Sequence, residues 1–268
     1  PWSPGLYRSA RKGRFHYEIP LDPAIYELRL YFAETEYSPS MGLSGSSAFR
    51  LFNVLLNEKL ALRDFDIASD AGGVNQETIK VFKDVAPGPG GLLRLDFVPV
   101  KNEVLLQGIE VLKGLPGRTH PIRILAGQSA YHHGPSGQLW SSDWLYSGGT
   151  RAPRSQRVAN ATDTNLYSAE RYGNFRYVLP ASPDSTYRLV LHFAETWFGP
   201  ENPGRGGEGS RRFDVFCNGE ALLRDFDVYS EAGGENRAVV RTFTGIRPTP
   251  QGKIVLHFSP IVNYAEIN

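Results

Sequence analysis

The 268-residue chain has one cysteine, Cys217, and one methionine. An intrachain disulfide and a cysteine-built zinc site are therefore excluded. Net charge is nearly absent: 29 Lys and Arg stand against 28 Asp and Glu, a formal +1. No lysine run or arginine-rich face supplies the electrostatic footprint of a nucleic-acid binder. No apolar run approaches the roughly 18 residues a membrane span needs, and mean hydropathy is −0.32. Also missing are a Gly-X-Ser-X-Gly elbow, a phosphate-binding loop, a dinucleotide fingerprint and His-Glu-X-X-His. What the chain has in quantity is glycine (28), proline (19) and aromatic rings (12% of residues). Such a composition predicts many short strands joined by turns. At about 150 residues per domain, the length predicts two domains.

Self-comparison decides the organisation. Phe32-Ala-Glu-Thr35 recurs as Phe193-Ala-Glu-Thr196. In the same register Leu62-Arg-Asp-Phe-Asp66 recurs as Leu223-Arg-Asp-Phe-Asp227, and Ala71-Gly-Gly73 as Ala232-Gly-Gly234. Asn57, Phe82, Phe97, Pro99 and Asn102 match Asn218, Phe243, Phe258, Pro260 and Asn263. Near the start the register slips by one, so that Leu6-Tyr7 and Gly13 match Leu166-Tyr167 and Gly173. The chain carries two copies of one unit. Residues 122–158 would map before residue 1, so the sequence reads as a fragment: a first domain over 1–113 lacking its opening segment, a Gly/Pro-rich linker over 114–120, and a nearly complete second domain over 121–268.

Period-two alternation marks the strands. Tyr187, Leu189, Leu191 and Phe193 share one face while Arg188 and His192 share the other; Leu28, Leu30 and Phe32 repeat the pattern. Ile254, Leu256 and Phe258 form another strand, matched by Leu93, Leu95 and Phe97. Asn218-Gly219, between Phe213–Cys217 and Ala221–Phe226, supplies the two positive-φ residues of a type I′ hairpin turn. The expected fold is all-β, two tandem antiparallel β-sandwiches.

Each chemical candidate has a structural counterpart. Asp64/Asp66 and Asp225/Asp227 could be paired glycosidase carboxylates or metal ligands, or hydrogen-bonded strand ends leading into Ala-Gly-Gly turns. Glu34 and Glu195 could be acids, or buried carboxylates accepting loop N–H bonds. His132-His133 lies in a Gly/Pro/Ser loop with no carboxylate at ligand spacing, and Cys217 alternates with Phe213 and Val215 as a small core residue. No nucleophile–base–orienter set assembles, no cofactor or metal is implied, and an enzyme using Asp225, Asp227 or Glu195 is the weakest reading. Trp140, Trp144, Tyr146, Tyr172, Trp197 and Phe198 fall beside turns and glycines, where flat rings suit the apolar faces of sugars. In the first copy Tyr172 becomes Lys12, Glu170 becomes Ala10, Trp197 becomes Glu36 and Phe198 becomes Tyr37. The working site is expected in the second copy.

Leu166-Tyr-Ser-Ala-Glu-Arg-Tyr-Gly173, Leu191-His-Phe-Ala-Glu-Thr-Trp-Phe198 and Asp225-Phe-Asp-Val-Tyr-Ser-Glu-Ala-Gly-Gly234 resemble malectin domains. So does Ile124-Leu-Ala-Gly-Gln128 followed by Trp144-Leu-Tyr-Ser-Gly-Gly149. The likeness covers nearly all of 121–268 and, less fully, 6–113. It implies a jelly-roll β-sandwich that binds carbohydrate without catalysis. Animal members of the family bind glucose-containing disaccharide ends of N-glycans, bacterial members are carbohydrate-binding modules, and plant members lie in receptor ectodomains. Carried over residue by residue, the resemblance implies a site at Tyr146, Gly148, Tyr172, Trp197, Phe198 and Asn263. Malectin has Tyr-Phe where this chain has Trp197-Phe198, and an acid where it has Asn263; the amide supplies no charge-assisted bond.

The expected function is therefore a lectin-like module for glucose-containing oligosaccharide or glucan ends, located outside the cytosol. The alternative is a protein-interaction or adhesion ectodomain on the same scaffold.

Overall fold

A computed structural model describes residues 5–37 and 49–268. The chain divides into two compact units, 2–120 and 121–268, with 180–182 grouping with the former. In the first unit the strands are β1 (Arg11–Gly13), β2 (Phe15–Pro20), β3 (Tyr26–Ala33), β4 (Leu51–Leu56), β5 (Lys59–Phe65), β6 (Glu77–Val85), β7 (Leu92–Lys101), β8 (Val104–Leu106) and β9 (Gly108–Lys113). They form the antiparallel sheets β2-β7-β4-β5 and β6-β3-β9, with β1 paired to β8. The short helix α1 (Ile67–Ala71) follows β5.

The second unit repeats the plan with an added front: β10 (His132–His133), β11 (Leu139–Trp140), β12 (Tyr146–Pro153), β13 (Ala169–Pro180), β14 (Tyr187–Ala194), β15 (Arg212–Cys217), β16 (Glu220–Phe226), helix α2 (Val228–Ala232), β17 (Ala238–Ile246), β18 (Lys253–Val262) and β19 (Ala265–Ile267). One sheet runs β12-β13-β18-β15-β16 with β19 also on β13; β14 pairs with β17.

The alternation in sequence becomes a two-sheet core. Leu28, Leu30 and Phe32 on β3 face Phe52 and Val54 on β4 and Leu93, Leu95 and Phe97 on β7, all fully buried. Phe32 meets Phe52 at 5.8 Å and Phe65 at 5.1 Å; Phe193 meets Phe213 at 6.0 Å and Phe226 at 5.1 Å. The repeated words thus encode one aromatic triad, built twice. Residues expected to link the domains lie against the first unit: Gly114 N donates to Ile25 O at 2.8 Å and Gly117 N to Asp84 at 2.8 Å.

The Asp-Phe-Asp segments resolve into helix starts. Asp66 accepts from Ser69 N at 3.0 Å and Asp227 from Ser230 N at 3.2 Å. Gly72 and Gly233 end these one-turn helices at φ 82° and 70°, a conformation that favours glycine. The second hairpin has Asn218 and Gly219 at φ 51° and 89°, while the first places Asn57 and Glu58 at 45° and 67°. A glutamate in the left-handed region is strained. Glu58→Gly should therefore stabilise the protein by on the order of 0.5 kcal/mol, after the glycine's own entropic cost. A lower urea midpoint in this variant would show that the turn is not strained.

Candidate functional site

A buried charge network lies at one end of the second unit. Glu195 follows the last inward phenylalanine of β14, and its Oε1 accepts the backbone N–H of Trp197 at 2.9 Å and of Phe198 at 2.8 Å. Its other oxygen takes Arg211 Nε at 2.6 Å. Arg211, 3% exposed, also lies 3.9 Å from Glu170 and 4.0 Å from Glu266. Glu170 accepts Arg154 Nη2 at 2.6 Å and the Thr196 hydroxyl at 3.1 Å. Glu266, on β19 opposite Tyr172 of β13, is 0% exposed. Among the described residues its oxygens meet no N–H or O–H donor within hydrogen-bond distance. Burial and the charges of Glu195 and Glu170 push the Glu266 carboxyl well above the ordinary range, outweighing Arg211. Burial acts the same way on Glu170, but Arg154, Arg211 and a hydrogen bond with Glu266 hold that carboxyl low.

Over this network sit four rings. Trp197, 38% exposed, stacks on the Arg154 guanidinium at 5.1 Å. Phe198 covers Arg211 at 5.3 Å. Tyr172 meets Tyr264, 53% exposed, edge-to-face at 5.5 Å. Asn263, the neighbour of Tyr264, donates from Nδ2 to Ser210 O at 2.6 Å. Gly204 N donates to Trp197 O at 2.9 Å, and a Cβ on Gly204 would come within 2.5 Å of the indole nitrogen. Glycine is required there because the loop backbone lies against the ring.

The expected site residues fall into two groups. Trp197 and Phe198 lie on the Arg154 and Arg211 guanidiniums, Tyr172 reaches the network through Tyr264, whose carbonyl accepts Arg211 Nη1 at 3.4 Å, and Asn263 through the Ser210 carbonyl. Tyr146, 45% exposed, lies instead on Arg171 at 3.3 Å and against Tyr177 at 6.4 Å. Gly148 O accepts Arg171 Nη1 at 2.9 Å, and Asp143 binds both Arg171 and the Tyr177 hydroxyl. Tyr146 registers opposite Tyr177, five residues along β13 from Tyr172, about 16 Å of strand. Two other turn-side rings are half-buried: Trp140 packs on the cluster of Leu125, Val158 and Leu166, and Trp144 donates to Ser141 Oγ at 2.9 Å. The reading of Glu195 as a carboxylate accepting loop N–H bonds fits its geometry. Sequence reasoning missed Arg154, Arg211, Tyr264 and Glu266. The signal for Arg211 was available, since Arg50 holds the same position in the repeat.

The first unit keeps the scaffold and changes the rim. Arg50 Nε binds Glu34 at 2.7 Å, and Glu34 Oε1 accepts the N–H of Glu36 and Tyr37. Where Tyr172 and Trp197 stand in the second unit, Lys12 and Glu36 form an ion pair. Leu105, opposite Lys12 on β8, takes the place of Glu266. Asn102 bonds the carbonyl before Arg50 as Asn263 bonds the one before Arg211. That amide bond thus belongs to the shared scaffold.

The remaining candidates are structural in their contacts. Asp225 is exposed and pairs with Arg212 at 2.8 Å, and Cys217 is buried. His132 does have a carboxylate partner, the sequence-remote Asp163 at 2.8 Å, which spacing could not reveal. Among the described residues no group of three His, Cys, Asp or Glu side chains is placed to hold a metal. Among them also no helix is long and apolar enough to cross a membrane.

These features define a tandem all-β protein of two antiparallel sandwiches, one of them rimmed with rings over buried charge. The family model for the malectin domain matches residues 2–86 and 121–263, and the chain belongs to that family. Malectin of Homo sapiens is 34% identical over 77 residues, covering 28% of this chain and 24% of its own length. A probable LRR receptor-like serine/threonine-protein kinase of Arabidopsis thaliana is 31% identical over 118 residues, covering 40% of this chain and 11% of its own. The matches thus span a quarter or less of these relatives. Among solved structures, the ANX1 ectodomain from Arabidopsis thaliana is 19% identical with a TM-score of 0.45, over 98% of this chain and 82% of that one. The plant peptide RALF23 in complex with FER and LLG2 matches at 19% identity and a TM-score of 0.46, over 98% and 82%.

Proposed function

We propose that the chain is a non-catalytic carbohydrate-binding protein whose second unit grips a glucose-containing oligosaccharide or glucan end. The observation that carries this reading is the group of exposed and partly exposed rings, Tyr172, Trp197, Phe198 and Tyr264, at one buried network; in the first unit an ion pair replaces Tyr172 and Trp197, while Tyr37 keeps a ring over Arg50 in place of Phe198. An apolar sugar face packs on a π-face. The remaining lone pairs of Asn263 Oδ1 and the tyrosine hydroxyls meet sugar hydroxyls. Trp197 already has Arg154 on one face and the Gly204 backbone beside Nε1 and Cδ1, so a sugar ring meets the exposed remainder of the indole. Tyr146 and Gly148 meet only a longer oligosaccharide. Such a reader works in an extracellular, periplasmic or secretory-lumen setting. Affinity is expected in the micromolar to millimolar range, about −4 to −8 kcal/mol, because each hydroxyl exchanges water bonds for protein bonds.

The test is a glycan array followed by calorimetry on its hits. Trp197→Ala and Tyr172→Ala should each cost about 1 kcal/mol or more, a fivefold or greater loss. Unchanged affinity in both variants removes these rings from the site. An array without hits, beside a specific protein captured on the same fragment, replaces the lectin reading with a protein-interaction ectodomain.

A further inference from the structure

We propose that Glu170 and Glu266 share one proton, and that Glu170 so completed is the positioning residue for the Trp197 platform. The proposal rests on the binding reading above for its purpose, but not for its geometry. Both carboxyls are fully buried, in a setting where an unpaired charge is costly. The charged groups acting on Glu266 come from the elements around β19: Glu170 on β13, Glu195 at the end of β14, Arg211 entering β15, and Arg154, through Glu170, after β12. Three carboxyls thus face two guanidiniums. Two ionised carboxylates, Glu170 and Glu195, balance Arg154 and Arg211, and a third does not fit. With Glu266 neutral, its O–H donates to Glu170 and the orphaned acid acquires a partner.

Glu170 then acts on Trp197 from two sides. One oxygen draws in the Arg154 guanidinium that lies on the indole face, and the other holds the hydroxyl of Thr196, the residue before Trp197. Among the described residues the buried Arg154 Nε meets no hydrogen-bond acceptor, so the carboxylate and the ring are what fix this side chain. The first unit shows that the sandwich does not need the pair. Ala10 and Leu105 stand in its place, and there the platform residue is Glu36 rather than a tryptophan.

Ionising Glu266 would set a second negative charge beside Glu170, and the two would compete for Arg211. The sign for stability follows from the raised carboxyl: the folded chain keeps a proton that the unfolded chain releases. Stability is whole at acid pH and falls as pH rises above the ordinary glutamate range. Glu266→Gln keeps a donor and cannot titrate.

The experiment uses the full chain, without sugar. Infrared difference spectroscopy at pH 7 should show the carbonyl stretch of a protonated carboxyl that disappears in Glu266→Gln; its absence from the wild type overturns the shared proton. Tryptophan emission, with Trp197→Phe as the subtraction control, reads the platform. In Glu170→Gln, checked for folding by circular dichroism, the Trp197 component should shift to longer wavelength and quench more readily with acrylamide. An unmoved component in that variant overturns the positioning role. In urea titrations the Glu266→Gln midpoint should hold as pH rises while the wild-type midpoint falls. Parallel pH curves for the two proteins would also sink the proposal. A failure to bind any glycan, with these signals intact, would remove the lectin reading alone.

Discussion

Arg211→Met should destabilise the protein by about 3–5 kcal/mol. The methionine fills much of the arginine's volume, so a cavity is a minor part of the loss. The main cost is electrostatic. Arg211 is the cation between Glu195 and Glu170, all three side chains are nearly fully buried, and removing it leaves Glu195 charged without a counter-ion. The control is the adjacent Arg212, 40% exposed and paired with exposed Asp225. Arg212→Met should change stability by less than about 1 kcal/mol, since exposed pairs contribute little. Urea titration of both variants measures the contrast. Equal midpoints for the two would mean that the Arg211 network does not hold the loop.

The same pair of arginines shows why part of this molecule could be read in its sequence. The strands were legible because Phe32, Phe193 and their neighbours repeat at strand spacing and must all face one interior. The loop-facing role of Glu195 was legible because a lone acid after the core residues Phe193 and Ala194 needs donors, and the nearest are the N–H groups that follow it. Its cation was legible only as a repeated residue: Arg50 and Arg211 share a place in the repeat, but only the fold brings Arg211 to Glu195. The meeting of Glu170 and Glu266 at Arg211 is likewise a product of β13 lying beside β19, almost a hundred residues apart in the chain. Tyr146 failed to join the other rings for a related reason. Its neighbours in sequence are turn glycines, but the register opposite Tyr177 carries it toward Arg171 and Asp143.

Exchanging the two rims tests the site as a unit. Tyr172→Lys combined with Trp197→Glu imports the Lys12–Glu36 pair of the first unit. Removing two stacking rings at about 1 kcal/mol or more each should weaken any glycan hit by at least thirtyfold. Folding should tolerate the exchange to within about 1 kcal/mol, because both positions are partly exposed and the new charges can pair. Glu36 in its own unit reaches Arg50 at 3.1 Å, and the introduced carboxylate has Arg154 and Arg211 within the same network. Calorimetry and urea titration together separate lost binding from lost folding; undiminished affinity would place the sugar elsewhere. The reverse exchange, Lys12→Tyr with Glu36→Trp, should confer no binding on the first unit. Ala10 there offers no carboxylate to hold a cation under the new indole, so the ring would be present without a fixed orientation, and stacking requires both.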